Sequence, residues 1–128
     1  MSKPTVLLVE DNMVNALVVT RAIEAICKPI HVINDKGAFA KMEEGHNFAL
    51  ILMDINLGGG SISGEEIMKQ LKKDPRYKTI PIVAVTSYAM PGDREHFLEA
   101  GFDAYMAKPV RKADLVKQVE RYLTETIG

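Results

Sequence analysis

Four short apolar runs, each leading to a polar residue and separated by stretches of helical periodicity, constrain this 128-residue chain more than any other feature. Val6-Leu7-Leu8-Val9 runs into Glu10-Asp11, Leu50-Ile51-Leu52-Met53 into Asp54, Ile82-Val83-Ala84-Val85 into Thr86, and Ala104-Tyr105-Met106 approaches Lys108. Runs of this length between helices read as parallel strands covered on both faces. Open α/β sheets bind their ligands outside the carboxyl ends of such strands, so three acids, a hydroxyl and an amine are expected to converge there.

The rest of the chain fits one βαβ pattern with no linker, repeat or low-complexity tract. Strand one is expected over Thr5 to Val9, and a helix follows over Asn12 to Ile26, capped by Asp11 or Asn12. Its apolar residues Val14, Leu17, Val18, Ala22, Ile23 and Ile26 recur at three- and four-residue steps. Pro29 introduces a short strand, Ile30 to Ile33. Asn34 or Asp35 starts a second helix that stops at Gly45. The third strand, Ala49 to Met53, is wholly apolar and therefore central. A glycine-rich loop, Gly58 to Ser63, leads to a helix over Gly64 to Lys73, closed by Asp74-Pro75. Strand four covers Pro81 to Val85, Pro91 suits the first turn of helix four, strand five covers Ala104 to Met106, and Val110 to Thr126 form the last helix.

Composition narrows the function classes. The length suits a single domain over residues 1–128 with its own core. Sixteen Lys+Arg against 17 Asp+Glu give a formal net charge of −1, with no basic block, so direct nucleic-acid binding is not expected. Cys27 is the lone cysteine and forms no internal disulfide. No apolar stretch approaches a membrane span and the N-terminus lacks a signal-peptide core, which predicts a cytoplasmic protein with no membrane partner.

Over essentially its full length the chain resembles the response-regulator receiver domain of two-component phosphorelays. The matching motifs are Glu10-Asp11-Asn12 after strand one, Asp54 ending strand three with Asn56 two positions on, Thr86-Ser87 after strand four, and Tyr105 three residues before Lys108-Pro109. That resemblance implies a (βα)5 flavodoxin-like α/β fold, a doubly wound parallel sheet in the order 2-1-3-4-5. It also implies a cis Lys108-Pro109 bond.

The chemistry follows residue by residue. Unit charges about 4 Å apart repel by roughly 4 kcal/mol at an effective dielectric of ~20, so three clustered carboxylates need a cation or protons. Mg²⁺, or Mn²⁺, suits oxygen ligands, with Asp11 and Asp54 as direct ligands and Glu10 bound directly or through water. The Asn56 backbone carbonyl is a further ligand implied by the family. Asp54 is the expected phosphoacceptor, attacking phosphorus to form an acyl phosphate, with Lys108 supplying positive charge. Thr86 offers a hydroxyl to a phosphoryl oxygen. In the family, inward movement of Thr86 and of an aromatic residue, here Tyr105, remodels the surface of helix four, strand five and helix five. Each residue also has a plainer reading: Glu10-Asp11 as a helix cap, Lys108 as a surface lysine, Thr86 as a strand residue, Tyr105 as core. Their joint occurrence at strand ends favours the chemical reading. His31, His46 and His96 lack metal-ligand spacing and are assigned no role. Lys69, Lys72, Lys73 and Asp74 read as a solvated face, while Arg111 and Lys112 are candidate partner contacts.

The expected function is therefore a phosphorylation-controlled switch and not an enzyme in the usual sense. Its donor would be a histidine kinase or a histidine phosphotransfer domain, docking on helix one by family analogy, and its output a downstream target protein. A phosphorylation-dependent homodimer is compatible with that family. The last helix takes up the chain beyond Lys108, so the protein is expected either to act alone or to be a receiver cut from a longer chain. A haloacid-dehalogenase-type hydrolase would want a second Asp two positions after the first, where Met13 stands instead. A flavin or nucleotide carrier would want a phosphate cradle after strand one, where Glu10-Asp11 would repel it. A degenerate receiver, kept only as a binding module, would lack part of the acid, lysine and hydroxyl set.

Two departures from the family pattern stand out. Gly58 occupies the place of a proline usual four positions after the phosphoacceptor, and Gly64 arrives about two residues late, which predicts a longer and more flexible loop. Asn56 and Tyr88, two places after Asp54 and Thr86, sit where family members tune hydrolysis. Bulky Tyr88 is expected to shield the acyl phosphate, so Tyr88→Ala should lose phosphate faster than the parent in a time course of the phosphorylated protein; an unchanged lifetime would refute the shielding.

Overall fold

The computed structural model describes residues 3–87 and 90–127, with side chains through Leu123. Strands and helices alternate as β1 (Thr5–Val9), α1 (Met13–Ile23), β2 (Lys28–Val32), α2 (Asp35–Glu43), β3 (Phe48–Asp54), α3 (Gly64–Lys73), β4 (Ile82–Thr86), α4 (Asp93–Ala100), β5 (Ala104–Ala107) and α5 (Lys112–Ile127). All ladders are parallel and the sheet order is β2-β1-β3-β4-β5, the doubly wound arrangement expected.

Strand parity sorts the core into two layers, because successive side chains of a strand point to opposite faces. Leu7, Val9, Ile51, Met53, Ile82 and Ala84 pack with residues of α2, α3 and α4. Val6, Leu8, Leu50, Leu52, Val83 and Val85 pack with residues of α1 and α5. All seven residues of β3 are buried, Asp54 included, so the phosphoacceptor candidate is carried on the best-covered strand.

Several boundaries differ from the sequence expectation for identifiable reasons. Pro29 lies inside β2, opposite Val6, rather than before it. It is tolerated there because β2 is an edge strand and needs no donor on its open side. Pro91 lies outside α4, which starts at Asp93 behind a Gly92 cap with φ of 92°. Helix α1 is capped by Asn12, whose side chain accepts the Asn15 N–H at 2.9 Å, and it ends at Ile23 rather than Ile26. Its expected apolar stripe is also split. Ala16, Val19, Ala22 and Ile23 face the sheet, whereas Val14, Leu17 and Val18 are exposed together with Met13. The buried stripe thus joins Val19 and Ile23 to the small Ala16 and Ala22. Lys72, read as part of a solvated face, instead donates to the Ile80 carbonyl at 3.1 Å and to Asp103 Oδ2 at 2.9 Å. Among the described residues no helix is long and apolar enough to cross a membrane.

Gly64 explains how a lengthened loop still returns to the sheet. A Cβ there would stand 2.1 Å from the Asp54 carbonyl oxygen, while the Gly64 N–H donates to the Ile55 carbonyl at 3.0 Å. The first residue of α3 is thus pressed against the backbone of the phosphoacceptor candidate, and neither partner can retreat cheaply from a buried strand. Gly64→Ala should destabilise the fold by about 3 kcal/mol, read as a lower urea midpoint at unchanged slope; a parent-like midpoint would refute the close approach.

Candidate functional site

Strand register brings the expected residues to one rim. Val9 pairs with Met53, Asp54 with Val85, and Thr86 with Ala107, so the residues following β1, β3, β4 and β5 emerge at the same level. Glu10, Asp11 and Asp54 form a cluster whose candidate ligand oxygens all lie within 4.8 Å of one another. Glu10 and Asp54 are 3% and 5% exposed, and Asp11 is open to solvent.

Lys108 closes the cluster from β5. Its Nζ donates to Glu10 Oε1 at 2.8 Å and stands 3.4 Å from Asp54 Oδ1. Its backbone N–H donates to the Thr86 carbonyl at 2.8 Å, and the Lys108-Pro109 bond is cis, as the resemblance implied. One ammonium cannot balance all three carboxyl groups when they are ionised. Hard-oxygen donors at this spacing, two of them buried, fit a divalent cation such as Mg²⁺ or Mn²⁺.

Local backbone fixes the acids. The Asn12 N–H donates to Glu10 Oε2 at 3.2 Å, and the Asn56 N–H to Asp54 Oδ1 at 3.3 Å. The Gly58 N–H donates to Asp11 Oδ2 at 3.1 Å. Gly58 and a further holder, His31, lie outside the expected site residues. Gly58, expected to lengthen and loosen the loop, anchors Asp11. His31, given no role, donates from Nε2 to the Glu10 carbonyl at 2.7 Å while the Glu10 N–H donates to the Val32 carbonyl at 3.0 Å, so β2 grips the backbone of the acid next door. Pairing of β2 with β1 was the available signal for the histidine.

The remaining predicted residues fall around this centre. Thr86 ends β4 and is fully buried. Tyr105 is half-buried on β5, its ring stacked on Phe97 of α4 with centroids 5.9 Å apart, which links the two elements expected to respond together. Tyr88 lies outside the described residues. Arg111 and Lys112 are exposed at the start of α5.

Charge states follow from these neighbours. Burial, reinforced by Glu10, pushes the Asp54 carboxyl up to about 7 against the opposing pull of Lys108. Burial lowers Lys108, but Glu10 and Asp54 outweigh it and hold the ammonium above its usual range. Partial burial raises Asp11, but the Gly58 N–H and its other bonds hold it below the usual carboxylate range.

Comparison with known proteins agrees with this geometry. The family model described as the response regulator receiver domain matches residues 6–120. The polar-differentiation response regulator DivK of Brucella anthropi is 38% identical over 120 residues, covering 93% of this chain and 95% of that protein. The receiver domain of a sensor histidine kinase from Pseudomonas aeruginosa PAO1, solved with a magnesium ion coordinated in its active site cleft, superimposes with a TM-score of 0.83 at 30% identity, over 96% of this chain and 99% of that one. The Mn²⁺-bound response regulator Rcp1 gives a TM-score of 0.74 at 26% identity, over 92% and 90%.

The raised Asp54 carboxyl makes a pH prediction for the metal-free protein. Its folded value of about 7 lies above the unfolded value of ~3.9, so between these the folded state holds more protons and stability falls as pH rises. Asp54→Asn should therefore melt above the parent at pH 8 in chelator, with the gap closing toward pH 4; a gap independent of pH would refute it.

Proposed function

Because the chain belongs to the response-regulator receiver family, we propose that Asp54 is its phosphoacceptor and that the rim of acids, Lys108 and Thr86 is the site of transfer. The domain is a receiver of two-component signalling rather than a classical enzyme. The observation that carries the assignment is the Lys108 ammonium, 2.8 Å from Glu10 and 3.4 Å from Asp54 at the carboxyl end of the sheet.

In the proposed transfer an Asp54 carboxylate oxygen attacks the phosphorus of a phosphohistidine. The new P–O bond forms as the P–N bond breaks, and the imidazole leaves with the bonding pair. Lys108 stays within reach of both Glu10 and Asp54, and its N–H groups are available to the phosphoryl oxygens that arrive. Thr86 supplies a hydroxyl donor at the end of β4. Glu10, Asp11, Asp54 and the Asn56 carbonyl would hold Mg²⁺ or Mn²⁺, which neutralises charge on the acids and the incoming phosphoryl group. The metals in the magnesium- and manganese-bound relatives support this choice of ion.

Donor and output surfaces follow from the exposed faces. Met13, Val14, Leu17 and Val18 of α1 stand 54–70% exposed beside a groove of about 670 Å³ that runs between α1 and α5 to Glu10 and Lys108. An apolar face leading directly to the acids suits docking of a histidine kinase or histidine phosphotransfer helix. The added charge of about −1 to −2 on Asp54 would draw Thr86 inward and let Tyr105 follow, altering the α4-β5-α5 surface presented to a downstream target. Tyr88, next to Thr86-Ser87 in sequence, is the proposed shield of the acyl phosphate, and Asn56, two places after Asp54, is the second position proposed to tune its hydrolysis.

Incubation with Mg²⁺ and acetyl phosphate should add the mass of one phosphoryl group to the intact parent and none to Asp54→Asn, and chelator should abolish the gain. Equal labelling of the variant would move the acceptor elsewhere.

A further inference from the structure

We propose that the turn Gly58–Ser61 positions the Asp11 carboxylate for a divalent cation and carries the occupancy of that site to the N-terminus of α2. The proposal rests on the acidic cluster being a metal site and adds a coupled element to it.

A continuous chain of hydrogen bonds makes the link. The Gly58 N–H donates to Asp11 Oδ2 at 3.1 Å. The Gly58 carbonyl accepts the Ser61 N–H at 3.3 Å, closing a turn whose central residues Gly59 and Gly60 have φ of 65° and 82°. Positive φ at both central positions is the type I′ signature, open to glycine and nearly closed to other residues. Ser61 Oγ then accepts the N–H of Asp35, the first residue of α2, at 3.1 Å and donates to the Ile62 carbonyl at 2.8 Å. The Ile62 N–H returns to Asp35 Oδ2 at 3.5 Å.

Position 58 is decisive, since a proline there would have no N–H to give Asp11. Here the longer loop supplies one. Asp11 is exposed, and the Gly58 N–H on one of its oxygens orders the carboxylate while leaving lone pairs for a metal. Binding linkage is reciprocal: if the closed turn favours the metal, the metal must favour the closed turn, and with it the Ser61 contact to α2.

An amide-resolved NMR titration of the full chain with Mg²⁺ tests this. In the parent, the Gly58, Ser61 and Asp35 amides should shift on one binding curve with those of Asp11 and Asp54. Gly58→Ala keeps the N–H, its Cβ meeting Asp11 Oδ2 at an ordinary 3.4 Å, and should bind like the parent. Gly58→Pro should bind about tenfold more weakly and leave Asp35 unresponsive. Ser61→Ala should still bind Mg²⁺ while Asp35 falls silent. Parent-like affinity in Gly58→Pro, or an Asp35 response that survives in Ser61→Ala, overturns the coupling even if the proline variant does not fold. Absence of any Mg²⁺ response at Asp11 and Asp54 in the parent would instead remove the metal site itself, and the coupling with it.

Discussion

Everything at the rim depends on one ammonium group set against buried carboxylates. Glu10 and Asp54 are nearly inaccessible and, with Asp11 beside them, would repel one another strongly if left alone. Lys108 relieves part of that repulsion, yet a single positive charge cannot balance three negative ones. Ion pairs of this kind seldom add net stability, because removing the charges from water costs as much as their attraction returns. The arrangement is better understood as stored demand for positive charge, which a metal and a phosphoryl donor can then answer.

Meeting that demand requires the scaffold to deliver side chains from four strands to one level. Parallel pairing with nearly uniform register does this, and alternation of side chains along each strand supplies the two apolar layers that hold the sheet rigid. The acids are then fixed from behind by backbone groups: Asn12 on Glu10, Asn56 on Asp54, Gly58 on Asp11, and His31 on the Glu10 carbonyl. Rotation of a carboxylate at this rim means breaking a specific hydrogen bond, so the cluster is largely preorganised.

Much of this was legible in the amino-acid sequence, and the exceptions have physical causes. Apolar runs marked β1, β3 and β4 because buried parallel strands need continuous hydrophobicity, and the residues just past them were visible as a set. Periodicity placed α1 but not its orientation, since Val14, Leu17 and Val18 repeat at the same spacing as the buried Ala16, Val19 and Ala22. Which stripe faces the sheet is settled by tertiary packing, which periodicity does not carry. Pro29 misled because a proline's tolerance depends on whether its strand is an edge. The roles of His31 and Gly58 were hidden for another reason: both act on residues distant in sequence, His31 through its side chain and Gly58 through a backbone N–H that every residue but proline carries.

The corner between β3 and α3 is clamped by Gly58 on Asp11, by Ser61 on Asp35 and by Gly64 against Asp54, and the Gly59-Gly60 tip stands open to solvent. The extra length of the loop extrudes as that tip instead of spreading into the acids. The corner is a poor graft point despite its exposure: an epitope or reporter spliced between Gly59 and Gly60 would open the turn that Gly58 and Ser61 close, and with it the hold on Asp11.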